Sequence, residues 1–217
     1  PGRALSPVER IGTPHASRYA RFMDFLAPVT LENDFVRLEP LAPEHAEDLA
    51  AATAGLEDRW YTSVPAAAGV PAEIARRRGL HAEGSMNPFA VVRLDTGRAV
   101  GMTTFCDIDQ PNRTVEIGYT WLSPEVHGTA VNPSAKRLLL AHAFETCDAI
   151  RVQFCTHFHN RQSRAAIERL GARLDGILRN DRIGADGAYR DTVVYSILPH
   201  EWPAVRNGLD ARLDRRR

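Results

Sequence analysis

The sequence predicts a mixed α/β fold: a mostly antiparallel, twisted sheet with one parallel strand pair, flanked by helices. Three observations predict it. Short apolar runs bounded by Pro, Gly and Asn follow one another as hairpins, whereas longer segments carry apolar residues at helical spacing. One strand is reached only through a helix after a three-strand meander, so it pairs in parallel by a right-handed crossover. A chain of 217 residues, 44% hydrophobic, buries roughly 70% of its unfolded surface in a single core. One domain over residues 29–217 follows, preceded by an extension of residues 1–28 whose Pro, Gly, Ser and Arg show no sustained period.

The elements follow in order. Asp34 to Leu41 alternates as a strand. Pro43 then opens a helix that is acidic in its first turns and ends at Gly55. Pro71 to Ala82 repeats that helical signature. Pro88 to Leu94 and Ala99 to Ile108 form a hairpin around Asp95-Thr96-Gly97-Arg98, and Pro111-Asn112 turns the chain into a third strand, Thr114 to Leu122. After a loop from Pro124 to Val131, Asn132-Pro133 opens a helix with Leu138, Leu139, Ala143 and Phe144 on one face. Arg151 to Phe158 is the crossover strand, Asn160 to Leu170 a helix stopped by Gly171, and Ala172 to Asn180 with Tyr189 to Leu198 a closing hairpin.

Composition excludes several classes of function. Lys+Arg 27 against Asp+Glu 27 gives no net field, so nucleic acid is not an expected partner. No apolar stretch approaches the roughly 20 residues of a bilayer span, which predicts a cytoplasmic protein without a membrane partner. Cys106, Cys147 and Cys155 are odd in number and lack metal-ligand spacing, so reduced buried thiols are expected. Lys136 is the one lysine of the chain.

In open sheets, ligands collect at the carboxyl ends of parallel strands beside a helix N-terminus, which points to Trp121 through Lys136. There Asn132 is expected to cap the helix and Pro133 to occupy its first turn. The free amides of the turn, with Lys136 one turn in, suit a phosphate or pyrophosphate. An ordinary capped helix joining two strands would look the same.

The order of these strings distinguishes the two readings. VEIGYTWL at 115–122, SPEVHGTAVN at 123–132, the helix carrying Lys136, NRQSRAAIERLG at 160–171 and LRNDRIGADGAYRDTVVYSIL at 178–198 occur in one succession. In that succession the chain resembles the GNAT (GCN5-related) superfamily of acyl-CoA-dependent N-acyltransferases, within its RimJ/RimL-like group, over roughly 31–201. The resemblance implies the GNAT fold, in which the parallel pair splays apart, and acetyl-CoA or succinyl-CoA as co-substrate. It implies that the pyrophosphate loop falls on His127, Gly128, Thr129, Ala130, Val131 and Asn132, with Lys136 beyond. His127, Ala130 and Asn132 depart from the family's Gln/Arg-x-x-Gly-x-Gly/Ala pattern. It also implies that Trp121 and Leu122 pair with the pantetheine arm, and that Asn160 and Ser163 contact that arm and the thiol.

Acyl transfer to an amine needs a neutral nucleophile, a polarised carbonyl and a proton for the leaving thiolate. Glu116 is the candidate base, because alternation places it with Gly118 and Thr120, opposite Val115, Ile117, Tyr119 and Trp121. A solvated or ion-paired strand glutamate is the rival reading. Ser163 is the candidate donor to sulfur, or else a residue capping the helix backbone. Tyr119 and Trp121 fit core or pantetheine packing better than catalysis. His157, His159 and His127 do not complete a tetrahedral metal site, and no metal is expected. For a succinyl carboxylate, Arg59, Arg113, His127 and His157 are the available partners. The acceptor is expected to be a small-molecule amine, a protein N-terminus or a lysine, and the protein a possible homo-oligomer. A CoA-binding sensor without useful turnover is the alternative function.

Overall fold

The computed structural model describes residues 24–56, 61–62, 64–184 and 187–217. Residues 1–23, Arg59 and residues 185–186 of the predicted closing loop lie outside the described residues. Eight strands form one sheet: β1 (Leu31–Glu32), β2 (Val36–Pro40), β3 (Met86–Arg93), β4 (Ala99–Asp109), β5 (Thr114–Leu122), β6 (Arg151–His157), β7 (Arg173–Ile183) and β8 (Tyr189–Ile197). Their order is β1-β2-β3-β4-β5-β6-β8-β7, and all neighbours are antiparallel except β5 and β6. The predicted meander and crossover are both present.

Among the described residues five helices flank the sheet: α1 (Ala46–Ala52), α2 (Val70–Ala82), α3 (Val131–Ala141), α4 (Arg161–Glu168) and α5 (Trp202–Asp214). A 3-10 turn, Pro43–His45, precedes α1, and a single π turn, His142–Thr146, extends α3. Alternation along β3 and β4 sends side chains to two cores. Phe89, Val91, Val100 and Phe105 meet α3 through Leu139 and Leu140, whereas Ala90, Val92, Ala99 and Met102 meet Leu49 of α1 and Ile74 of α2.

Four features add to or differ from the sequence reading. Helix α5 has Trp202, Val205, Leu209 and Leu213 buried in one stripe, and Arg137 of α3 pairs with its Asp210. The short strand β1 is a second addition. Phe25, assigned to the extension, is fully buried and meets Phe105 edge-on at 6.0 Å, and its carbonyl accepts from Asn87 Nδ2 at 2.8 Å. Finally, α3 begins at Val131, and its N-cap is Ala130 rather than Asn132. Thr129 takes over the capping: its hydroxyl donates to Val126 O at 2.7 Å and accepts from Val131 N at 3.3 Å.

Candidate active site

Strands β5 and β6 pair at Thr114 with Arg151, Val115 with Val152 and Glu116 with Gln153, and there the ladder stops. Both strands continue, to Leu122 and His157, so a cleft opens between their carboxyl ends. Asn160 and α4 flank it on one side, the loop into α3 on the other. At the apex sits Glu116.

A bulge shapes the β5 wall. Met102 faces Trp121 and Thr104 faces Gly118, so two residues of β5, Tyr119 and Thr120, oppose Thr103 alone. Tyr119 takes φ of 48° there, a left-handed conformation that costs a non-glycine residue roughly 1 kcal/mol or more. The predicted alternation therefore fails beyond Gly118. Tyr119 is 43% exposed, Trp121 packs in the α1–α2 core rather than in the row of Val115 and Ile117, and Thr120 turns toward α3 instead of sharing Glu116's face. Arg77, 1% exposed on α2, holds the bulge: Nη1 donates to Tyr119 O at 3.1 Å and Thr104 Oγ1 at 3.0 Å, and Nε to Glu73 Oε1 at 2.7 Å. The spacing of α2 carries no sign of this buried cation.

Glu116 is 8% exposed. Burial raises its pKa above the ordinary carboxylate value; hydrogen bonds from the Cys155 thiol and Gln153 amide oppose that rise only in part. Oε2 lies 3.5 Å from Gln153 Nε2, which also reaches Cys155 Sγ at 3.1 Å. Burial pushes the Cys155 thiol up to about 12, so it stays protonated and is no nucleophile. Gly118 leaves room for the carboxyl, because a Cβ there would stand 2.5 Å from Glu116 Oε1 and 2.9 Å from Cys106 Sγ and would force them to shift. Next to this group lies a cavity of about 460 Å³ lined by Asp107, Gln153, Cys155, Asp181, Arg182 and Thr192, among others.

At the mouth of the cleft, Gly128 adopts φ of 76°, which glycine tolerates and which lets the loop fold onto α3. Among the described residues the amides of Gly128, Ala130 and Asn132 have no internal acceptor, while Thr129 N bonds to Val126 O and Ser134 N to Ala130 O. Three free amides at the positive end of an 11-residue helix make a fitting cradle for a pyrophosphate. His127 is turned away from it: Nε2 lies 3.0 Å from Leu122 O. Lys136 is turned away as well, 6% exposed, with Nζ donating to the Thr120 and Thr103 hydroxyls inside the molecule. Its ammonium is not among the groups at the mouth.

On the opposite wall Asn160 is the N-cap of α4, and its Oδ1 accepts from Ser163 N at 3.0 Å. The Ser163 hydroxyl, half-buried in the first turn, has no partner among the described residues and is free to donate. Among the described residues Trp121 Nε1, Ser134 Oγ and Arg190 Nε are buried without partners. His157 Nδ1 accepts from His159 N at 3.0 Å, and Arg113 pairs with Asp148. Among the described residues no three His, Cys, Asp or Glu side chains converge on a metal position.

Comparison with known proteins matches the chain over residues 36–173 to an acetyltransferase (GNAT) domain. YdaF of Bacillus subtilis (strain 168), which is named as a ribosomal N-acetyltransferase, is 31% identical over 175 residues, covering 78% of this chain and 94% of YdaF. A crystal structure named as an acetyltransferase from T. thermophilus superimposes with a TM-score of 0.75 at 37% identity, covering 86% of this chain and 98% of that one. Mycobacterium smegmatis RimJ, solved in complex with CoA-disulfide, shares the fold with a TM-score of 0.72 at 23% identity, over 88% of this chain and 97% of that one.

Proposed function

This chain belongs to the GNAT acetyltransferase family, and from that premise we propose that it transfers an acetyl group from coenzyme A to a primary amine by direct attack on the thioester. The observation that carries the reading is Glu116, a buried carboxyl of raised pKa at the apex of the cleft with a cavity beside it. When bound, the acyl-CoA supplies the activated carbonyl. The chain's residues do the rest.

The amides of Gly128, Ala130 and Asn132 hold the pyrophosphate, while the free edges of β5 and β6 offer backbone groups to the arm between them. Glu116 takes the proton of the attacking amine, and its raised pKa brings it closer to the amine it must deprotonate. The Ser163 hydroxyl donates toward the sulfur. No covalent enzyme intermediate is needed. Of the groups set out for a succinyl carboxylate, Arg113 is engaged by Asp148, His127 by Leu122 O and His157 by the amide of His159, while Arg59 lies outside the described residues; acetyl is taken as the transferred group on the family match.

The acceptor enters the cavity beside Glu116, where Asp175 pairs with Arg151 and Asp181 with Arg182, and Asp107 is the carboxylate that favours an amine arriving as a cation. A protein N-terminus or a lysine side chain fits that description, and the name of YdaF points the same way. The test is thiol release from acetyl-CoA and succinyl-CoA over a panel of amines and peptides. Turnover with acetyl-CoA that is lost in Glu116→Gln while CoA still binds supports the enzyme; tight CoA binding with no turnover on any amine makes the protein a sensor.

A further inference from the structure

Lys136 is a buried cation that the proposed reaction leaves unused. It forms no ion pair among the described residues. Nζ lies 2.8 Å from Thr120 Oγ1 and 3.3 Å from Thr103 Oγ1, and the two hydroxyls are 2.8 Å apart. Thr103 is fully buried on β4, whereas Thr120 is exposed on the splayed half of β5, four residues beyond the last rung to β6.

The hydrogens can be counted. A charged Lys136 donates to both hydroxyl oxygens. Thr103, sealed in the core, then has Thr120 Oγ1 as the acceptor for its own proton. Thr120 thus accepts twice, and its proton must point away; the internal alternative, Gly118 O, is a poor 3.4 Å away. A neutral Lys136 reverses this, because the amine lone pair accepts from a threonine and draws that proton inward.

We propose that Lys136 is a positioning residue which, when charged, turns the Thr120 hydroxyl into a donor facing the cleft, where it hydrogen-bonds an acceptor atom of the bound acyl-CoA. The proposal rests on the reading that the cleft binds CoA. Burial lowers the lysine to about 7, opposed by the Cys106 and Glu116 side chains on β4 and β5, so the device works below that pH and is lost above it.

The sequence has one lysine, so protein carrying labelled lysine gives a single side-chain resonance whose titration reads Lys136 directly. The expected midpoint is near 7. Thr120→Val removes an acceptor from the ammonium and lowers the midpoint, and Thr120→Ser restores it. Adding CoA raises the midpoint in the wild type but not in Thr120→Val. Acetyl-CoA affinity weakens several-fold between pH 6 and 8.5 in wild type and Thr120→Ser, and is flat in Thr120→Val. A midpoint indifferent to Thr120→Val, a midpoint unmoved by CoA that does bind, or Thr120→Ser behaving as Thr120→Val overturns the proposal. Absence of CoA binding at every pH overturns the functional reading instead, while the lysine titration in the free protein still judges the network.

Discussion

Arg77 on α2 donates to the carbonyl of Tyr119 at 3.1 Å, so a helix outside the sheet fixes the backbone of the strand where its alternation breaks. The same guanidinium lies 5.6 Å over the Tyr119 ring. Arg77→Met leaves Tyr119 O, Thr104 and part of Glu73 unpaired around a buried site, at an expected cost of about 3 kcal/mol. Thermal unfolding should fall by about 6–12 °C, and KM for acetyl-CoA should rise as the β5 wall relaxes. An unchanged KM in folded variant protein would show that the clamp is structural alone.

Gly118→Ala tests how closely the base is held. The added methyl meets Glu116 Oε1 and Cys106 Sγ, so the carboxyl must move. Turnover should fall at least about tenfold, as expected when a general base is displaced, with CoA affinity preserved. Calorimetric titration with CoA beside steady-state kinetics separates the two.

With Glu116 as the proposed base, the pH profile of kcat/KM should rise through a carboxylate titration shifted above the ordinary glutamate range, because a general base works only when ionised and burial disfavours that form. Glu116→Gln should abolish the limb and lower kcat by roughly 10² to 10⁴.

Lys136→Met should alter stability with a definite sign. A lysine whose folded pKa is depressed carries its full stability above the unfolded value and loses it as pH falls through the folded one. The gap between variant and wild type should therefore shift in the variant's favour as pH falls from about 10.5 to about 7, and level off below. Urea unfolding at pH 6.5, 8 and 10 reads it.

Gly128→Ala meets no neighbour within 4 Å, so any loss comes from the left-handed backbone alone. About 1 kcal/mol of stability and a weaker grip on CoA are expected. Wild-type affinity in that variant would move the pyrophosphate elsewhere.

What the sequence discloses depends on where local rules decide the outcome. Thr114 to Leu122 matches β5 end to end, because turn residues bound it and its apolar run has strand length. The crossover needs only the helix between two strands. The face of Trp121 escapes a reading by alternation because a bulge has no reliable local signature: nothing in GYTW says that Tyr119 turns left-handed, and the cause lies 42 residues earlier in Arg77. Lys136 falls near phosphate by its distance to the helix start, yet its direction is set by Thr103, 33 residues away. Helix α5 is legible in the sequence, since Trp202, Val205, Leu209 and Leu213 recur at helical spacing.

Three rungs join β5 to β6, and beyond them the middle of the sheet carries two raw edges. Unpaired edges of this kind leave backbone donors and acceptors open to whatever extended group lies along them. On the proposed function, a coenzyme in that gap acts as an inserted ninth strand, so occupancy and folding stability become linked: each tenfold excess of ligand over its dissociation constant adds about 1.4 kcal/mol. With that coenzyme as the ligand, the melting temperature of the protein becomes a gauge of the coenzyme concentration around it.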